Sequence, residues 1–327
     1  MARHGVGALL LATPHLATFA SGARRVQVAG SGGTVPWVVV AANAPSATVF
    51  TTDPDGVPSW MPGSAVEPLY WDRERQLARI RARVEGTTGA LACDVFSPAL
   101  VALAESLGRT LCDAAPVLAA AAGPRSADEL ALVERALRAA RSGVRAARKA
   151  LEDATAVSGL LGAAAGAMSA AGAGFPLGEG LVWRGGVRLP PAARVSGDDV
   201  LTLEWGAYVS GHAGVAGDTL CADDARVAGP RRRWFEALCA LGSRCRAGAT
   251  TADLRAAAVA AGAGQQGLVA HGLGVGIELP LIDLGATDAV PLVAGTVLVL
   301  APVVDGFRAT RALVVGDRAH RWLEPAP

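Results

Sequence analysis

The sequence predicts a mixed α/β (α+β) chain of two domains, and three observations carry that prediction. At 327 residues it is long for a single hydrophobic core. With 51% hydrophobic and 18% charged residues, it has ample material for packed interiors and lacks the composition of a disordered chain. Its texture also changes about a third of the way along. Residues 1–118 alternate short apolar runs with turn-rich pieces, whereas residues 119–327 open on long helical patterns and close on strands.

The elements follow in order. Residues 6–12 form a continuous apolar run that reads as a buried strand, then a turn at Thr13-Pro14-His15 and a short helix. Arg3 and His4 before this run, and the small residues Ala20-Ser21-Gly22-Ala23 after it, imitate a secretory leader. The run is too short and too soon interrupted for one, so the expected setting is cytoplasmic. Strands are expected over 35–42 and 47–52, with a turn at Asp53-Pro54-Asp55-Gly56. Helices are expected over Arg73–Val84 and 100–112, and residues 114–123 read as the crossing between domains.

In the second domain, Ser126-Ala127-Asp128-Glu129 spells a capping box, and Leu130, Val133, Leu137 and Val144 keep helical spacing behind it. A second helix, rich in Ala and Gly, extends to about residue 173. Residues 200–205 and 207–209 look like a hairpin, 230–246 like a helix, and Gly248 to Leu254 like the cap of another. Closing strands fall at 297–301 and 312–315, with a turn at Gly316-Asp317.

Bulk properties exclude several functions. A net charge of +1 offers no attraction to nucleic acid or to an anionic membrane. No apolar stretch approaches the ~20 residues needed to cross a bilayer. The five cysteines are odd in number and lack Cys-x-x-Cys spacing, so they read as reduced, mostly buried thiols.

The most informative motif is His271-Gly272-Leu273-Gly274, followed by Glu278-Leu279-Pro280. It resembles the H-G-x-G…H-E-x-P signature of the pita-bread aminopeptidases, the family of aminopeptidase P, prolidase, methionine aminopeptidase and creatinase. Ala247 to Leu254 is similar to that family's P-G-x-T-x-x-D-L, with Ala247 in place of Pro. The resemblance implies a creatinase-like N-terminal α/β domain over residues 1–118 and a pita-bread domain over 119–327. It also implies a homodimer.

In that family five residues hold two divalent metals, which activate a water and polarise the scissile carbonyl. Matched residue by residue, the first Asp falls on Glu204, the second on Val215, the His on His271, the Glu before Pro on Ala301, and the last Glu on Thr310. Val and Ala cannot ligate, and two dications need several anionic oxygens between them. The family's second His falls on Ile277, and no His precedes the first ligand strand near Trp183 to Gly186. No metal and no cofactor are therefore expected.

A rescue exists in Gly217-Asp218-Thr219, which resembles the G-D-T step of methionine aminopeptidase. Glu204, Asp218, His271 and Glu278 would then form a single-metal site, so a Xaa-Pro-type metallohydrolase stays open. Otherwise His271 and Glu204 are the candidate catalytic residues, and His212, Asp218, Glu278, Thr310 and Arg311 the candidate ligand-binding ones. The bland alternatives stand beside these. His271 suits a buried, hydrogen-bonded histidine, Glu204 an ion pair with Arg311, and His212 the space of a Tyr or Phe. Trp183 and Trp205 are expected to line the same cavity. The preferred reading is a fold that has lost its metal chemistry and binds, or transforms without metal, a small amide, amino acid or peptide. Whether it is an enzyme is left open.

Overall fold

A computed structural model of the chain describes residues 1–23, 38–52, 54–70, 72–153, 155–264 and 267–324. Residues 35–37 of the second expected strand and Asp53 of the expected turn lie outside them. The chain divides into two compact units, Met1–Ala122 and Gly123–Pro327.

The first unit holds β1 (Val6–Leu11), α1 (Pro14–Ser21), β2 (Val38–Ala41), β3 (Thr48–Thr51), β4 (Val66–Pro68), α2 (Arg73–Val84), β5 (Ala90–Cys93), α3 (Pro98–Ser106), β6 (Leu111–Asp113) and α4 (Ala115–Ala122). Its sheet runs β4-β3-β2-β1-β5-β6, antiparallel at β1–β2 and β2–β3 and parallel at the other pairs. All six residues of β1 are buried. Alternation explains why: Leu9 and Leu11 enter a core with Ala17 of α1 and Val117 of α4, while Ala8 and Leu10 enter one with Ile80 and Leu100.

Two expectations change here. The stretch expected as one helix over 100–112 ends at Ser106, because Gly108 turns the chain at φ 62°, and Leu111 opens β6 beside β5. The expected crossing at 114–123 is largely α4. Its alanines favour helix, and Val117 anchors it to the first unit's core.

The second unit contains α5 (Ala127–Ala150), α6 (Val157–Ala170), β7 (Phe175–Pro176), β8 (Leu181–Arg184), β9 (Val187–Arg188), β10 (Leu201–Val209), β11 (His212–Leu220), α7 (Ala228–Gly242), α8 (Thr251–Ala260), β12 (Leu268–Leu273), β13 (Ile277–Asp283), β14 (Val297–Leu300), β15 (Val303–Val304), β16 (Phe307–Arg308), β17 (Arg311–Val314) and β18 (Arg321–Trp322). The capping box at Ser126 is formed in both directions, and Thr250 with Asp253 forms a second one on α8.

Residues 200–205 and 207–209 are not two strands of a hairpin. β10 is continuous, and its antiparallel partner is β11, with Glu204 opposite Gly217 and Val209 opposite His212. The reversal falls at Ser210 and Gly211, where both φ angles are positive.

Two larger antiparallel sheets result, β11-β10-β8-β9 and β13-β12-β14-β17-β18, with β7 added beside β10, and β15 pairs β16 in a third. The pair α5/α6 covers the first sheet and α7/α8 the second. β11 meets the β15–β16 ribbon and the step into β17: Thr310 N–H donates to Gly217 O (3.1 Å), and the Thr219 hydroxyl exchanges hydrogen bonds with the Arg308 backbone. Each of the two larger sheets thus has a helix-covered outer face and an inner face.

Candidate functional site

Strand alternation sorts the candidates onto these two faces. Leu201, Leu203, Ala216 and Leu220 pack with Val144 and Leu160 of the helix pair, so they mark the outer face of β10–β11. Glu204 and its partner Gly217 therefore point inward, and Asp218, which pairs with Leu203, points outward. In the second sheet, Ala270, Leu298 and Leu300 join the α7/α8 core. His271 and its partner Val299 face inward.

Glu204, His271 and Thr310 are thus brought together. His271 is 3% exposed, and its Nδ1 lies 2.9 Å from Gly272 O. Burial lowers its pKa below the ordinary 6.5, opposed by the Gly272 carbonyl and by the negative charge of Glu204, while Arg308 reinforces the lowering. Thr310 is 1% exposed, and its hydroxyl accepts the Gly217 N–H at 2.8 Å. A Cβ at Gly217 would stand 3.1 Å from the Thr310 methyl and 3.4 Å from Glu204 Cγ.

Glu204 pairs with Arg308, not with the expected Arg311; Nη2 and Oε2 are 2.7 Å apart. The contact is off the hydrogen-bonding direction, so Glu204 Oε2 and Arg308 Nε are both buried without a hydrogen-bond partner among the described residues. Trp183 lies on this face, with the Arg308 guanidinium 6.0 Å from its ring centroid. Trp205 does not line it. Its parity turns the ring onto the helix-side core, where its indole N–H donates to Gly178 O at 3.0 Å.

The floor of the inner face is apolar. Val215 is 4% exposed in a cluster with Leu273, Val299 and Ala312 and with Val133 and Leu137 of α5. Ala301, two residues beyond Val299 on the same strand line, is 2% exposed. Among the described residues, no group of three or more His, Cys, Asp or Glu side chains is placed to hold a metal ion.

The remaining candidates lie elsewhere. Asp218 is tied to Arg148 of α5 at 2.9 Å. Arg311 stands over the ring of Trp234 in α7, 5.5 Å from its centroid. The four-residue grouping of Glu204, Asp218, His271 and Glu278 therefore does not form, because Asp218 is one residue out of phase with Glu204's face.

His212 and Glu278 gather instead around Arg125, at the far end of β10–β11. Glu278 forms a close ion pair with Arg125 and accepts the Val275 N–H at 2.8 Å. His212 is 7% exposed; its Nδ1 lies 3.2 Å from Ser210 O, and its Nε2 is buried without a partner among the described residues. Burial lowers the His212 pKa, against the Ser210 carbonyl and Glu129, and burial raises that of Glu278, against Arg125. Gly274 makes room for this pair, since a Cβ there would collide with the Arg125 guanidinium and sit 2.7 Å from Glu278 Oε1. Sequence reasoning missed both organising arginines. Arg308 stands two residues before the matched Thr310 and Arg125 directly before the capping box, and no local pattern singles either out.

No protein-family model and no curated protein matches the sequence. Solved structures do match in fold. A dipeptidase from Pyrococcus horikoshii OT3 superposes with a TM-score of 0.78 at 17% identity, covering 100% of this chain and 96% of that one. A dipeptidase from Mycobacterium ulcerans gives 0.74 at 20%, covering 100% and 93%. The prolidase from Pyrococcus furiosus gives 0.72 at 17%, covering 99% and 97%. The architecture is that of the two-domain pita-bread peptidases. The fold of this chain is similar to that of prolidases and of aminopeptidase P, an α/β unit followed by a pita-bread unit.

Proposed function

We propose that the protein is a pita-bread homologue without the dinuclear metal site, and that its inner face binds a small amide, amino-acid or peptide ligand. The observation that carries this reading is the apolar floor beside His271. Val215 and Ala301 stand where the resemblance puts two metal carboxylates, and they are packed with Val299 and Ala312 or buried beside them. Two dications facing Glu204 as their only nearby carboxylate, itself held by Arg308, would be left largely uncompensated. The residues do not fit the metal pair.

The donor and acceptor left unpartnered on this face, Arg308 Nε and Glu204 Oε2, match the acceptor and donor of an amide or an amino acid. One observation favours a second reading, metal-independent chemistry. Burial lowers the His271 pKa, against the opposing charge of Glu204, and so favours the neutral imidazole that a general base requires. A cytoplasmic homodimer belongs to the same proposal, supported by five cysteines in unpaired form and by the fold.

Equilibrium dialysis against Mn²⁺, Co²⁺ and Zn²⁺, combined with turnover of Xaa-Pro dipeptides, tests the proposal. The expected result is no stoichiometric metal and no chelator-sensitive hydrolysis. Two tightly held ions with turnover abolished by chelation would refute it. Thermal-shift screening of dipeptides on wild type and His271→Ala then tests the ligand, and product formation lost in that variant would select the catalytic version.

A further inference from the structure

The outer face of the second unit carries a cavity of about 680 Å³ that the inner-face reading does not use. It is lined by Arg148, Arg231, Arg232, Arg311, Trp234 and Phe307, with Asp218 and Asp224 among them. Both aspartates are already committed. Arg148 takes Asp218 at 2.9 Å and Asp224 at 3.0 Å, and Arg231 shares Asp224 at 2.7 Å. Arg232 and Arg311 form no ion pair among the described residues. Four arginines against two aspartates leave two positive charges on the cavity wall.

Arg311 is the costlier of the two. Burial lowers its pKa, with Arg141 adding to the effect, while Glu324 and Asp218 only partly offset it. Its guanidinium stands over Trp234 and that of Arg231 stands over Phe307, at 5.5 and 5.7 Å from the ring centroids. Trp234 is 2% exposed, yet its indole N–H has no acceptor among the described residues. A buried donor without an acceptor costs about 1–3 kcal/mol. A wall of surplus guanidinium, an orphaned N–H and aromatic rings complements an anionic oxygen group joined to a flat apolar body.

We propose that this cavity is a binding site for a small organic anion, with a carboxylate or phosphate head directed at Arg311 and Arg232 and an apolar body against Phe235, which lines the cavity and is 37% exposed. It is separate from the inner face and does not depend on what binds there. Of the two head groups, phosphate suits the fork of several arginines and carboxylate a single one, and the two are told apart by direct comparison.

The test uses the full chain, following tryptophan fluorescence and thermal midpoint with phenyl phosphate and 3-phenylpropionate. Inorganic phosphate serves as head alone and benzyl alcohol as body alone. The expected result is saturable binding of one or both organic anions, weaker binding of phosphate and none of the alcohol. Arg232→Ala, at an exposed position, and Arg311→Met should each weaken binding by about tenfold or more. Trp234→Phe should remove the fluorescence response, and His271→Ala should leave binding intact. The proposal fails if neither organic anion binds saturably at millimolar concentration, or if Arg232→Ala binds as wild type does. It also fails if His271→Ala abolishes binding, since the anion would then sit on the other face.

Discussion

The second unit holds two clusters that each join a histidine and an arginine to glutamate, Glu278 and Glu129 around Arg125 and Glu204 beside Arg308, and they are built for opposite ends. Around Arg125, Glu278 uses its oxygens on a guanidinium and a backbone N–H, and Gly274 is cut to fit the pair. Around Arg308, Glu204 touches its partner without aligning to it, and both keep an unused polar atom. The first is a clamp between loop ends; the second is a receptive surface. Residue types alone do not separate the two roles. What separates them is the burial of the guanidinium, 3% exposed at Arg125 and 26% at Arg308, since Arg125 Nη1 and His212 Nε2 are also buried without hydrogen-bond partners among the described residues.

The sharpest break of this comparison is Arg125→Ala. It strands Glu278 in a buried position and should cost about 3–5 kcal/mol in urea unfolding. Arg308→Ala, whose side chain is 26% exposed against 3% for Arg125, should cost less, about 1–3 kcal/mol. Equal losses in the two variants would erase the distinction between clamp and surface.

Next in size is Val215→Asp, which places a lone carboxylate among Leu273, Val299 and Ala312. A loss of about 2–4 kcal/mol is expected, unrelieved by added Mn²⁺. Recovery of stability on adding the metal would mean that the floor still accommodates a cation. Gly274→Ala should follow, at roughly 1–3 kcal/mol, because the new methyl group collides with the Arg125 guanidinium.

The smallest effect is that of pH. His212 and His271 have folded pKa values below the ordinary 6.5, so the unfolded chain binds more protons there. Their contribution is complete above pH 6.5 and is lost as pH falls from 6.5 toward their lowered folded values. Glu278 is raised above 4.5 and works in reverse, gaining relative stability as pH falls through its folded value. Thermal midpoints should therefore decline below pH 6.5, and His212→Gln with His271→Gln should flatten that decline. An unchanged slope in the double variant would mean that the titration resides elsewhere.

Much of this was legible in the sequence for reasons that are local. A capping box at Ser126, a continuous apolar run from Val6 and the Gly-rich step at His271 each fix backbone geometry within a few residues. What escaped depended on phase and on distant partners. Whether Gly206 interrupts a strand, and whether Asp218 faces with Glu204 or against it, follows from the position of the reversal at Ser210. A shift of one residue changes the face. Arg308 and Arg311 differ by one strand-turn of backbone, and only the contact of β11 with the β15–β16 ribbon decides which of them reaches Glu204.

The apolar floor also sets how a metal centre could be built on this face. A carboxylate introduced singly would arrive as an unpaired anion in a hydrocarbon pocket and weaken the fold before any cation could offset it. A dinuclear centre would need several substitutions at once, so no single step toward it is favourable.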